Sequence, residues 1–365
     1  MRASLRVVLF ALLLALLLLT PHVLWRLRAG RQLEVVIVDK TVPFRQYREH
    51  AALPWLLHAL KLQGKSGRFL DAAHDYLGFD PSTHTGTDLS PADLLGVDAL
   101  LIADTYGVYH GDYGRDGEQA ALERSPLIYG GMTDDEASAV ERFANKGGLV
   151  IGEFNTFASP TEDAPRSRLE RVFGAHWTRW VGRYWPNLRD RNEVPPWVAE
   201  SWQKLTQTPF NMSGPGLVLV RDDNAIVVLR GGEDLGENVL TQERTRAGEI
   251  AGLPPSASFR FWFDVLVPDD GEVLCEHVID VTPSGAAKLA AQHLPSRFPA
   301  VVRRGTAWYL AGDFVDSAIE LGTPELAGLL TWKSYLARVG GVPEERFFWG
   351  WYAPLVGKLL NDRAH

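Results

Sequence analysis

Four acidic residues each close an apolar run. Asp39 follows Val35-Val36-Ile37-Val38, Asp104 follows Leu100-Leu101-Ile102-Ala103, Glu153 follows Leu149-Val150-Ile151-Gly152, and Asp313 follows Trp308-Tyr309-Leu310-Ala311-Gly312. Unbroken apolar runs are the pattern of parallel strands buried on both faces. In an open α/β sheet, ligands bind beyond the carboxyl ends of such strands. If the four runs are neighbours, four carboxyls gather at one edge. Like charges that close need a shared proton or a bound cation, and two carboxyls flanking one cleft are the machinery of glycoside hydrolysis. Asp39, Asp104, Glu153 and Asp313 are therefore the candidate catalytic residues. The competing role for each is structural: capping the next helix, or pairing with a nearby base, as Asp39 would with Lys40 or Arg45.

Polar and aromatic residues cluster near the same run ends. Glu153 and Asn155 precede a Ser159-Pro160-Thr161 loop and form a plausible pocket floor. The loop after Asp104 carries Tyr106, Tyr109, His110 and Tyr113, the composition of a carbohydrate or peptide groove, with His110 read as exposed loop. Gly182-Arg183-Tyr184-Trp185 is a second such block. The expected ligand-binding residues are Lys40, Tyr106, Tyr109, Asn155, Arg183 and Tyr184. Hard oxygen ligands suit Mg or Ca, but the spacing assigns no metal, and no cofactor is expected. No Gly-x-Ser-x-Gly elbow exists for serine chemistry. Cys275 is the only cysteine, so there is no intramolecular disulfide and no cysteine-rich metal site.

The elements that must hold these residues alternate. A strand over 33–39 leads to a helix over 49–62, where Leu53, Leu56, Leu57 and Leu60 repeat at helical spacing. Residues 69–76 read as a strand or short helix, and Ser90 opens a short helix with Pro91 in its first turn. Thr133-Asp134-Asp135-Glu136 is a capping box; its helix ends at Lys146-Gly147-Gly148. A further helix covers 166–173. Strands and helices alternating in this way give a parallel sheet. After Gly174 short strand-like runs replace the alternation, among them 217–220 and 226–229 around an Asp222-Asp223-Asn224 turn. The fold expected is α/β: a flavodoxin-like parallel sheet with a β-rich insertion, preceded by one N-terminal transmembrane helix. Its parts are an anchor (1–31), an α/β core (32–175), the insertion (176–296), and a segment completing the core and ending in helix (297–365). The aromatic cluster 347–352 reads as core packing, with a segment lying on a bilayer as the alternative.

This layout resembles the class I glutamine amidotransferase-like superfamily. More narrowly, it is similar to the non-catalytic members found in trehalose-utilisation-type proteins and as the trimerisation domain of some β-galactosidases. The carrying residues are the strand 98–104, the helix 133–145 running into Lys146-Gly147-Gly148-Leu149-Val150-Ile151, and Arg304-Gly305-Thr306-Ala307-Trp308-Tyr309-Leu310-Ala311-Gly312-Asp313. The resemblance spans 33–174 and 298–317. It implies a nucleophilic cysteine on a strand–helix elbow, yet Gly152-Glu153-Phe154-Asn155 stands there, which excludes glutamine hydrolysis by a thiolate. A weaker resemblance to haloacid-dehalogenase-like phosphatases rests on Asp39-Lys40-Thr41 and Gly312-Asp313-Phe314-Val315-Asp316. Thr41 replaces the second acid of that family's opening motif and removes its general acid.

The N-terminus is apolar from Val7 to Leu19 and again over 23–25, with Arg2 and Arg6 before it and Arg26, Arg28 and Arg31 after. The stretch 7–25 approaches the ~20 residues a bilayer-crossing helix needs, and it lacks the small residues of a signal-peptidase site. It is expected to be an uncleaved anchor that holds a soluble body outside the cytoplasm, in a periplasm-like space. Net charge is −8, which argues against a nucleic-acid surface. The expected partners are the lipid bilayer through 7–25, a glycan or small-molecule ligand, and an envelope protein. The functional expectation is a membrane-anchored, non-catalytic ligand-binding or assembly protein of envelope or polysaccharide metabolism. The alternative is an envelope glycan hydrolase using the strand-end carboxyls.

Overall fold

A computed structural model describes residues 2–112, 125–316 and 319–365; up to residue 15 only the side chains of Phe10 and Leu13 are described. Tyr113 and Ser317 lie outside the described residues. Five parallel strands form the centre of a ten-stranded mixed sheet. In chain order they are Val35–Asp39, Leu77–Asp80, Ala99–Ile102, Leu149–Gly152 and Ala307–Leu310. In space they lie 2-1-3-4-5, each paired in parallel with its neighbour. In doubly wound sheets of this order, the ligand crevice falls where the order reverses, between the first and third strands. Asp39 and Asp104 flank that point.

The apolar runs became strands because both faces are covered. Ile37, Val38, Leu100, Leu101, Val150 and Ile151 are all buried, some in the core cluster of one face and some in that of the other. The second strand has no such run. It is short, and its Gly78 is required by close approach: with φ +142, a Cβ there would lie 1.6 Å from the Asp39 carbonyl oxygen. It occupies 77–80, just past the segment where a strand or short helix was expected; residues 69–76 form turns. Ser90 does not start a helix either, because its hydroxyl bonds Asp93 at 2.6 Å within a turn.

The Asp134–Asn145 helix has the expected capping box, with Thr133 and Glu136 bonding reciprocally. Asp163–Phe173 ends on left-handed Gly174. Beyond it, Ala175–Trp185, Gly216–Arg221, Ile226–Arg230 and Phe263–Pro268 make a separate four-stranded antiparallel sheet. Leu235–Arg244, Glu272–Val281 and Arg297–Arg304 instead extend the large sheet, antiparallel, from the Ala307–Leu310 strand outward. Ala307–Leu310 thus joins the parallel and antiparallel halves.

Residues Arg2–Leu27 form one helix, Pro21 included. Among the described residues no helix is long and apolar enough to cross a membrane, so the expected transmembrane helix is not supported by the fold. The end of this helix is docked. Trp25 is buried against His58 and Phe69, and the Lys61 ammonium bonds the carbonyls of Trp25 and Arg26 at 2.9 Å, satisfying carbonyls a helix end leaves orphaned. At the other terminus, Leu329–Gly340 and Pro343–Phe347 lead into a π-helical turn, Phe348–Tyr352, and the Ala353–Arg363 helix. Phe347, Phe348, Trp349, Trp351 and Tyr352 are buried, so this cluster is core.

Candidate functional site

The four strand-end acids do meet at the carboxyl edge of the sheet, and each is buried. Their mutual repulsion is felt: Asp39 raises the carboxyl of Asp104, and Asp104 and Glu153 both raise that of Asp313. For both Asp104 and Asp313 burial is the largest cause, because it penalises the charged form. It also pushes Glu153 up to about 8. Asp316 and Glu49 join the cluster, each raised chiefly by burial. Arg48 holds Asp316 with two contacts of 2.6 and 2.8 Å.

What the acids touch is mostly the chain itself. Asp39 accepts from the Thr41 amide at 2.9 Å and sits 2.6 Å from His50 Nδ1, while His50 Nε2 lies 2.8 Å from the Ala72 carbonyl. A carbonyl only accepts, so Nε2 is the donor to Ala72. Glu153 Oε1 accepts from the Tyr352 hydroxyl at 2.6 Å and Oε2 from the Val315 amide at 3.1 Å. Asp104 accepts from the Tyr106 amide at 2.7 Å. Around Glu153, the edge where a doubly wound sheet takes its ligand is filled by the chain's own loop and C-terminal turn.

Asn155 adopts the left-handed conformation, φ +60, three residues past the strand. It is thus Asn155, not Glu153, that stands at the strained point of the elbow. Its amide donates to Asp264 Oδ2 at 3.2 Å, and its carbonyl accepts from Thr105 at 2.7 Å. Asp264 was not among the sequence-derived residues. It is fully buried, takes the Tyr309 hydroxyl on the same oxygen, and is pushed up to about 7 by burial. Its Oδ1 has no partner among the described residues.

The expected ligand-binding residues divide. Lys40 is taken up by ion pairs within the chain, to buried Glu136 at 2.7 Å and to half-exposed Asp88 at 2.9 Å, beside the Tyr129 ring. Arg183 reaches the edge: Asp313 and Asp316 favour its charge, although burial lowers it to about 10. Its guanidinium packs on Phe261, Trp185 and Trp262. Tyr184 is buried under Arg260, away from Arg183's contacts. Tyr106 and Tyr109 lie ring to ring at 4.9 Å, Tyr106 half exposed. Among the described residues no group of three or more His, Cys, Asp and Glu could hold a metal ion. A cleft of about 680 Å³ lies at the opposite end of the strands, between Ala144, Arg171 and Thr306, and contains none of the four acids. His50, Asp264 and Tyr352 were missed because their partners are distant in sequence; only the Asp39-to-His50 spacing offered any local clue.

These raised carboxyls predict an unusual pH dependence. The folded state keeps protons on Glu153 and Asp264 that the unfolded chain has released, so stability falls as pH rises from the usual carboxylate range towards 8. His277 acts the other way: burial lowers it to about 4, so it opposes the trend only below its ordinary value. Between pH 6.5 and 8 the carboxyls act unopposed by His277. Urea unfolding should show a loss on the order of 2 kcal/mol over that interval. A flat or rising profile there would contradict the assignment.

No family model matches the chain, and no curated protein is similar to it by sequence. Among solved structures it is similar to a glutamine amidotransferase from Thermotoga maritima, at 12% identity and a TM-score of 0.39 over 91% of this chain and 99% of that one. A ThuA-like protein from Bacteroides uniformis gives 12% and 0.36 over 87% and 97%. The β-galactosidase of Bacillus circulans sp. alkalophilus gives 14% and 0.33 over 80% of this chain and 30% of that one. Such likenesses are of overall fold at most and say nothing of the chemistry.

Proposed function

We propose that this chain is a membrane-anchored, non-catalytic ligand-binding or assembly protein, acting in envelope or polysaccharide metabolism with its body outside the cytoplasm. The observation that carries the non-catalytic reading is the Tyr352 hydroxyl on Glu153. A general acid or base must reach a substrate proton, and both oxygens of Glu153 are already engaged by Tyr352 and Val315. The anchor is supported by Leu16, Leu17, Leu18 and Leu19, four consecutive residues that are all exposed. Four in a row cover almost the whole circumference of a helix, so this stretch stands clear of the body with every face apolar. A helix apolar all round belongs in a core or a bilayer.

The reading is tested with the full chain in detergent, incubated with cell-wall and exopolysaccharide fragments. Fragments are expected to be bound without being cleaved, equally by wild type and Glu153→Gln. The variant should instead lose about 1–3 kcal/mol of stability, because its amide nitrogen cannot accept the bond its carboxyl oxygen took. Release of new reducing ends by wild type, abolished in Glu153→Gln, would establish the glycan hydrolase instead.

A further inference from the structure

Among the described residues, none covers one face of the Leu329–Gly340 helix. Leu330 packs on the core and Ala337 is buried, while the Lys333 ammonium lies 4.8 Å over the Trp349 ring and bonds the Glu320 carbonyl at 3.2 Å. These residues fix the inner face. On the other side Trp332, Tyr335, Leu336 and Val339 are 62, 59, 60 and 72% exposed, and Val342 continues the patch. Spacings of three and four residues place them along one stripe. Contiguous exposed apolar surface of this kind marks a docking site.

The place of this face in the fold identifies what covers it. The Ala327 amide, two residues before the helix, donates to the Pro21 carbonyl at 2.9 Å, and Glu325 pairs with His22 and Arg26. Pro21 lies one turn, about 6 Å, before Trp25, where the N-terminal helix enters the body. Exposed Leu16–Leu19 lie on its other side. The Leu329–Gly340 helix therefore begins at the level where the apolar N-terminal helix leaves the body. In an anchored chain that level is the headgroup boundary, where Trp and Tyr are enriched because their rings are apolar with one polar tip. Arg26, Arg28 and Arg338 are exposed around it, which complements anionic headgroups.

We propose that Leu329–Gly340 is an interfacial helix, lying flat in the headgroup–acyl boundary beside the anchor with Trp332, Tyr335, Leu336 and Val339 immersed. This rests on the anchored reading and adds to it a fixed orientation. A lone anchoring helix leaves the body free to tilt, whereas a second contact seats the body against the bilayer and sets which way the Tyr106–Tyr109 loop faces.

The test reconstitutes the full chain in vesicles of phosphatidylethanolamine and phosphatidylglycerol, spin-labelled in turn at Leu17→Cys, Leu336→Cys, Val339→Cys and Leu205→Cys. Native Cys275 is buried and its thiol is pushed up by burial, so it stays unlabelled. Oxygen concentrates in lipid, and a nickel chelate stays in water. At Leu336 and Val339 oxygen collisions should exceed nickel collisions several-fold, as at Leu17, while Leu205, on the Pro196–Thr206 helix, should show the reverse. Nickel dominance at Leu336 and Val339 with oxygen dominance at Leu17 overturns the interfacial helix and leaves the anchor standing. Nickel dominance at Leu17 overturns the anchor and with it the arrangement proposed here.

Discussion

Replacing Lys40 by Met should cost about 3–5 kcal/mol, the penalty for breaking a buried ion pair by removing one partner. Lys40 is 1% exposed, and its ammonium is shared by Glu136 and Asp88. Glu136 is itself fully buried and bonds the amides of Leu89 and Thr133, the latter closing the capping box of the Asp134–Asn145 helix. Without Lys40 a carboxylate stays in the core with only dipoles to balance it, and the helix start is strained with it. Chemical denaturation of the variant measures this, and adding Glu136→Gln should recover part of the loss by removing the orphaned charge. A ligand-binding lysine would behave otherwise: Lys40→Met would leave stability intact and abolish binding. The contrast is decisive for a residue whose sequence position, one past a strand-end acid, pointed to a ligand.

Lys40 illustrates where sequence reading stops. The strands that lead to Asp39, Asp104, Glu153 and Asp313 were legible because burial on both faces demands continuous apolar runs, and the Thr133–Glu136 box was legible because capping is local. The Leu77–Asp80 strand was not, since its decisive residue is a glycine chosen for contact with Asp39, 39 positions earlier in the chain. That the acids share an edge followed from the alternation of strands and helices. That two of them are occupied did not: His50 and Tyr352 are brought to Asp39 and Glu153 by tertiary packing, as Tyr309 is to Asp264. The antiparallel strands Leu235–Arg244 and Glu272–Val281 read as part of a β-rich segment, and only the pairing through Arg297–Arg304 places them in the large sheet. Alternation in a sequence reports which face is buried, not which sheet receives it.

Trp351→Ala should also cost about 3–5 kcal/mol, the range for emptying a large aromatic site in a core. Trp351 is fully buried, stacked on Phe347 at 5.1 Å and edge-on to Phe314 at 5.4 Å. Its indole nitrogen has no hydrogen-bond partner among the described residues, so removing it relieves one unsatisfied donor and sets the cost nearer the lower end. The value of the variant lies in where the cavity opens. Trp351 adjoins Tyr352, whose hydroxyl occupies Glu153, and Phe314 precedes Val315, whose amide binds the same carboxyl. An apolar cavity of this kind stays dry and takes small aromatic guests, so benzene or indole should raise the melting temperature of Trp351→Ala and leave wild type unchanged. If the C-terminal turn is what closes the sheet edge, the cavity and the carboxyl are one unit. Trp351→Ala and Glu153→Gln should then be non-additive in a double-mutant cycle. Additive losses with no rescue by indole would mean that the turn packs beside the acids without closing them off, and Glu153 would regain its claim to a ligand.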